Sequence, residues 1–172
     1  DAHWLKSGSA KLRPTIFGVA QLLDETANEF RYQAEEKSIA IVKQCAGGDI
    51  SITADRLKVR RIVQNLLDNA IKFCAANRTV TLDASADAAQ LTLRVIDEGP
   101  GIAQDQMLQI AQGTALTFGR GKDQESAGLG LTIVRDFVQM HGGRFWVEAN
   151  SPSGAQFCIA LPLNAPAPTQ RA

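Results

Sequence analysis

No apolar run in this 172-residue chain approaches the ~20 residues that a membrane-spanning helix needs. Nor does a signal-peptide pattern open it. The chain starts Asp1-Ala2-His3, without methionine, so we expect a piece of a longer protein, cytoplasmic itself and compatible with a membrane-anchored parent. Excess charge of either sign is also missing: 18 Lys plus Arg balance 18 Asp plus Glu. Clamping a nucleic-acid backbone rests on many uncompensated cations, so nucleic acid is not an expected partner. A local basic patch around a small phosphate ligand remains compatible with zero net charge. Cysteine is scarce, with Cys45, Cys74 and Cys158 far apart and no C-x-x-C spacing. Neither a disulfide framework nor a zinc site fits three such residues, and free thiols are expected.

Two familiar phosphate-binding patterns are missing as well. A P-loop would need glycine at Leu116 and serine or threonine after Gly121-Lys122, where Asp123 stands. The dinucleotide fingerprint would need a third glycine at Ile133. What remains is an ordinary globular composition, 45% apolar and 21% charged, long enough for one domain with a core.

Periodicity then divides the chain. Thr15 to Gly18 reads as a short strand, followed by a helical period over Val19 to Lys37. Ile39 to Cys45 and Ile50 to Thr53 read as strands around Gly47-Gly48-Asp49. Asp55 suits an N-cap for a helix reaching Phe73. Alternating segments at Thr79 to Ser85 and Gln90 to Ile96 suit a hairpin, and a brief helix over Gln104 to Ile110 follows. Ala111 to Ala127 has no firm period, and loops of this length are usually functional lids or disordered. A helix from Leu129 to Met140, stopped by Gly142-Gly143, precedes a last strand pair, Arg144 to Asn150 and Ala155 to Leu161. This order predicts an α+β two-layer sandwich, one mixed, mainly antiparallel sheet with three helices packed on one face. We expect one domain over 13–163 and a loose tail over 164–172.

Three constellations carry chemistry. Asn65, Asn69 and Lys72 fall at spacings of four and three, hence on one helical stripe beside the apolar row Ile62, Leu66, Ala70 and Phe73. Amide oxygens at the edge of a core can meet a hard cation, and a lysine one turn on can meet a phosphate. A solvated face beside a buried one is the bland alternative. Asp97-Glu98-Gly99-Pro100-Gly101-Ile102 leaves a strand, where a carboxylate can accept a hydrogen bond from an exocyclic amine and glycines let backbone approach a flat ligand. Taken alone, the stretch is better explained as an ordinary turn. Gly128-Leu129-Gly130-Leu131 opens the expected last helix, and a helix N-terminus is a natural phosphate seat. Helix-capping glycines are the alternative there.

In this order, Asn-x-x-x-Asn-Ala-x-Lys, Asp-x-Gly-x-Gly, a lid and Gly-x-Gly resemble the N, G1 and G2 boxes of the GHKL (Bergerat-fold) ATPases. The stretches Asn65 to Phe73, Gly128 to Val134 and His141-Gly142-Gly143 are similar to the sensor histidine kinase version. The resemblance covers roughly Lys11 to Leu163, and it implies that 13–163 is an ATP-binding catalytic domain and that 1–12 is a remnant of the dimerisation helix and its linker. It implies ATP and Mg2+ as cofactors, with Asn69 a magnesium ligand, Asn65 a second contact to metal or triphosphate, and Lys72 on phosphate. Asp97 would hold the adenine amino group, Gly99 and Gly101 would shape that side, and Ile102 would line it. Gly128, Leu129, Gly130 and Leu131 would hinge the lid and approach the phosphates. Phe118 would be the lid aromatic, and Arg120 or Lys122 would reach the γ-phosphate.

The resemblance also implies a protein-histidine kinase of two-component signalling. Its partners would be the parent's own dimerisation domain and a response-regulator receiver domain. The fragment alone is expected to be monomeric. Neither His3 nor His141 stands in a phosphoacceptor pattern, so the acceptor would lie on the absent domain, and His141 reads as a helix-end residue meeting carbonyls. Glu125-Ser126-Ala127 departs from the glycine- and threonine-rich lids of the family. The rival reading is a degenerate domain acting through nucleotide sensing or protein contacts. Gyrase-type hydrolysis is disfavoured because those relatives carry a general-base glutamate where this chain has Asn65. A serine-directed kinase of the same superfamily stays open.

Overall fold

A computed structural model describes residues 11–113 and 123–166, with side chains except those of 123–129. The elements run β1 (Thr15–Gly18), α1 (Val19–Glu29), α2 (Arg31–Glu36), β2 (Ala40–Cys45), β3 (Ser51–Ala54), α3 (Arg56–Phe73), β4 (Thr79–Ala86), β5 (Gln90–Ile96), α4 (Gln104–Gln112), α5 (Asp123–Met140), β6 (Arg144–Ala149) and β7 (Ala155–Pro162). The five-stranded sheet has the order β2-β4-β5-β7-β6, parallel at β2–β4 and antiparallel elsewhere. Strict alternation on β4 and β5 turns Val80, Leu82, Ala84, Leu91, Leu93 and Val95 towards the helices. The opposite strand faces carry threonine and charge, as a sheet covered on one side requires. This is the expected α+β sandwich.

The helical layer is built mainly from α1, α3 and α5, whose buried faces share one core. In α3 that face is Val59, Ile62, Val63, Leu66, Leu67 and Ala70, at helical spacing. The helix is fixed at both ends. Asp55 caps its start, accepting the Lys58 N–H at 3.2 Å. At its end, Lys37 Nζ donates to the carbonyls of Ile71, Lys72 and Cys74 at 2.8, 3.1 and 2.9 Å, a cation answering orphan carbonyls at the negative end of the dipole.

Four expectations are corrected. The helix over Val19 to Lys37 divides at Phe30 into α1 and α2, a bend that lets Phe30 and Ala34 both reach the core. The single sheet is two, because β1 and β3 form a separate antiparallel ribbon with Thr15 opposite Ala54. Both ends of the stretch Ala111 to Ala127, expected to lack a regular period, are helical: α4 runs to Gln112 and closes on left-handed Gly113, while α5 already begins at Asp123. Acids at Asp123 and Glu125 suit the positive end of a helix, so α5 starts there and takes Gly128 and Gly130 inside. The tail is tied at its start, where Asn164 bridges Thr53 and the Ala165 N–H donates to the Thr53 carbonyl at 2.8 Å. The three cysteines are free as expected, and burial pushes the Cys158 thiol up to about 12.

Gly143 marks where α5 meets the sheet. A Cβ there would collide with the Ala160 carbonyl oxygen and stand 2.9 Å from Leu161 Cδ2. Gly143→Ala should therefore cost ~1–3 kcal/mol, read as a lower melting temperature. An unchanged melting temperature would contradict this packing.

Candidate functional site

Asp97 follows β5 and is 4% exposed. Its Oδ1 accepts the Gly99 N–H at 2.9 Å and the Ala155 N–H at 3.3 Å. Its backbone is held too, with its N–H given to the Ala155 carbonyl at 2.9 Å and its carbonyl accepting Asn150 Nδ2 at 3.0 Å. No described residue donates to Oδ2. Burial raises the carboxyl pKa above its ordinary value, and the two N–H bonds pull the other way. A partly desolvated carboxylate with one unanswered oxygen is a strong acceptor for an incoming donor.

That oxygen belongs to a residue lining a cavity of about 90 Å³ together with Phe73, Gly101, Ile102, Gln106 and Phe157. Flat apolar walls beside one carboxylate suit a planar heterocycle bearing an amine. Glycine is required at the turn. Gly101 holds φ +82, and a Cβ on Gly99 would sit 2.5 Å from the Phe73 carbonyl oxygen, so the turn after β5 presses directly on the end of α3.

Phe73 links this cavity to the polar stripe of α3. Asn69 lies one turn before it and is 3% exposed, and Asn65 lies one turn before that. Asn65 Nδ2 and Asn69 Nδ2 are both buried and have no hydrogen-bond partner among the described residues. Unanswered buried amides are rare and costly, which points to a polar ligand at this place. Across from Asn65 stands α5: a Cβ on Gly130 would meet Asn65 Cβ, Cγ and Oδ1 at 3.7 Å each. Leu131 is fully buried in the core beside it. From Phe73 back to Asn65 the track extends ~12 Å along the helix.

The structure thus sets Asp97, Gly101 and Ile102 around one cavity, Gly99 against the Phe73 carbonyl, and Gly130 against Asn65, with Asn69 one turn further along α3. Lys72 stands at its exposed side, paired with Asp68 Oδ2 at 3.1 Å. Gly128 and Leu129 lie inside α5 and not at a helix N-terminus, so their N–H groups are not the free donors expected at a helix start. Phe118, Arg120 and Lys122 lie outside the described residues. Sequence reading missed Phe73, Gln106, Phe157, Asn150 and Gly154. For the last two a signal existed, because Ser151-Pro152-Ser153-Gly154 reads as a tight turn, but nothing local says that this turn backs onto Asp97.

A mixed sheet covered by helices, with a carboxylate pocket at one strand end and an asparagine stripe on the facing helix, defines an ATPase domain of the GHKL type. The profile of the family described as "Histidine kinase-, DNA gyrase B-, and HSP90-like ATPase" matches residues 54–165, and the chain belongs to that family. Similar curated proteins are sensor kinases. The adaptive-response sensory kinase SasA of Rippkaea orientalis is 31% identical over 143 residues, 83% of this chain and 36% of that protein. The histidine protein kinase DivJ of Caulobacter vibrioides is 27% identical over 163 residues, 95% of this chain and 27% of that protein. The chain spans about a third of the length of the curated relatives it matches.

Among solved structures, full-length ShkA in complex with AMPPNP superposes with a TM-score of 0.76 at 31% identity, over 97% of this chain and 35% of that one. The nucleotide-free catalytic domain of the histidine kinase ThkA gives 0.77 at 25% identity, over 88% and 99%. No described helix is long and apolar enough to cross a membrane.

Gly154 tests how the site is assembled. It holds φ +111, and a Cβ would run into the Asp97 carbonyl oxygen. Gly154→Ala should loosen Asp97 and speed amide hydrogen exchange at Gly99 and Ala155, with a lower melting temperature. Unchanged protection at both amides would contradict the described assembly.

Proposed function

We propose that this domain binds Mg-ATP and presents the γ-phosphate to a histidine on the helical dimerisation domain of a longer sensor kinase. Two features that meet at Phe73 support this reading: the cavity lined by Asp97, and the amides of Asn69 and Asn65 further back along α3, which have no partner among the described residues. Adenine would lie between Phe73, Ile102 and Phe157, its amino group donating to Asp97 Oδ2. The triphosphate would then run along α3 towards Gly130 and Leu131. AMPPNP in the ShkA structure supports a nucleotide in a related fold.

The donor set fits magnesium. Amide oxygens are hard ligands, and this cation takes only one or two protein oxygens while keeping waters and phosphate oxygens. Asn69 and Asn65 would hold it, and bound magnesium would offset the charge gathered on the phosphates. The chain's own residues bind and orient. Asp97 fixes the base, the α3 stripe sets the height of the phosphates, and Lys72 exchanges Asp68 for phosphate as a point charge. Phosphoryl transfer needs mainly such positioning and charge neutralisation. The nucleophile is a histidine nitrogen outside this chain. From there phosphate would pass to an aspartate of a response regulator, and a ThkA structure in complex with the response regulator TrrA supports that kind of partner.

Asp97→Asn is a clean probe, because the asparagine oxygen still accepts the Gly99 and Ala155 N–H groups while the second position becomes a donor. With fold retained, Asp97→Asn and Asn69→Asp should each weaken magnesium-dependent binding of an ATP analogue by about tenfold or more, measured by calorimetry. Equal affinity in all three proteins would remove the assignment. With the parent's dimerisation domain supplied in trans, labelled ATP should give acid-labile, base-stable phosphate. Nucleotide binding without that product would favour a degenerate nucleotide-sensing module.

A further inference from the structure

Three stretches far apart along the chain meet at one buried histidine that nucleotide binding leaves unused. His141 follows α5 and is 1% exposed. Its Nε2 accepts the backbone N–H of Asp55 at 3.2 Å, and its Nδ1 lies 2.7 Å from the Phe137 carbonyl oxygen. A carbonyl only accepts, so Nδ1 carries the proton and the ring is neutral. Asp55 in turn gathers its neighbours. Its carboxylate accepts the Arg13 N–H at 2.9 Å and the Lys58 N–H at 3.2 Å, and pairs with Lys58 Nζ at 3.3 Å. Lys58 Nζ also stands 5.5 Å over the Phe137 ring.

The end of α5, the start of α3 and the chain arriving at Arg13 are therefore tied at a single point. Both helices carry the site: α3 bears Asn65 and Asn69, and α5 sets Gly130 against Asn65. A rigid helix transmits a displacement at its end along its length. We infer that His141 is a positioning residue that, through the Asp55 N–H, fixes α3 against α5 and couples the incoming chain at Arg13 to the gap between Asn65 and Gly130. The inference rests on the nucleotide reading above and adds a route by which the parent's preceding segment regulates that site.

Protonation undoes the contact, because a protonated Nε2 no longer accepts and the buried Asp55 N–H is left unanswered. The charged groups facing the ring are both at the start of α3: its N-cap Asp55, which favours the imidazolium, and Lys58, which opposes it. Arg13 contributes a backbone N–H, and the Gly142-Gly143 turn brings no titratable group. Burial holds the histidine below its ordinary 6.5. Its contribution to stability is thus complete above that value and is lost as pH falls through the lower folded value.

The test uses the full chain and the magnesium complex of a non-hydrolysable ATP analogue. His141→Gln keeps an acceptor at the Nε2 position without a titrating ring, and His141→Leu removes it. Between about pH 8 and about pH 5, wild-type affinity should fall about tenfold further than that of His141→Gln, which also cancels titration of the nucleotide itself. His141→Leu, folded by circular dichroism, should bind weakly throughout and exchange its Asp55 amide faster. Parallel pH profiles for wild type and His141→Gln, or wild-type affinity in folded His141→Leu, would overturn the inference. If wild type binds no nucleotide at any pH, the nucleotide reading fails, and the inference falls with it as a claim about the site. The tie itself is then judged by the Asp55 amide, whose unchanged exchange in His141→Leu would overturn that too.

Discussion

The Asp97 carboxylate gives one oxygen to backbone N–H groups and has no donor to the other among the described residues, and the candidate site depends on that division. Oδ1 takes two backbone N–H groups, from Gly99 in its own turn and from Ala155 at the start of β7. Those bonds fix the carboxylate's direction and offset part of the cost of burying it. Oδ2 receives no donor from the described residues. Gly154 and Gly99 make the arrangement possible by removing side chains where the backbone of the β6–β7 turn and the carbonyl of Phe73 come close. An alanine at either place would separate the three segments that meet there.

Helix α3 carries the other half of the site, and its ends are held by residues remote in sequence. Asp55 answers its first turn while gripping Arg13, and Lys37 answers three carbonyls at its last. Between these fixed ends the apolar face is buried almost completely, so the stripe of Asn65 and Asn69 is fixed in orientation. Two buried amides without partners among the described residues are tolerable where ligand association supplies what folding leaves open. A merely structural helix would gain from replacing them.

Legibility followed the range of the interactions. The strand pattern of β4 and β5, the N-cap at Asp55 and the end of α3 at Phe73 were readable because period and capping are local. Asn65, Asn69 and Asp97 were readable as candidates for the same reason, since each sits in a short patterned stretch. The start of α5 was misplaced because glycines at 128 and 130 look like a boundary, whereas acids ahead of them suit a helix start. The separation of β1 and β3 from the main sheet, the Lys37 cap and the backing of Asp97 by Gly154 are pairings across tens of residues. No local spacing encodes them.

The central claim is that Asp97 and the α3 stripe face one ligand. Nuclear magnetic resonance of the isotope-labelled chain, titrated with AMPPNP and magnesium, addresses it most directly. The backbone amide of Gly99 and the side-chain amides of Asn65 and Asn69 should shift together along a single binding curve. Shifts at unrelated affinities, or a response at Gly99 with none at either asparagine, would contradict it.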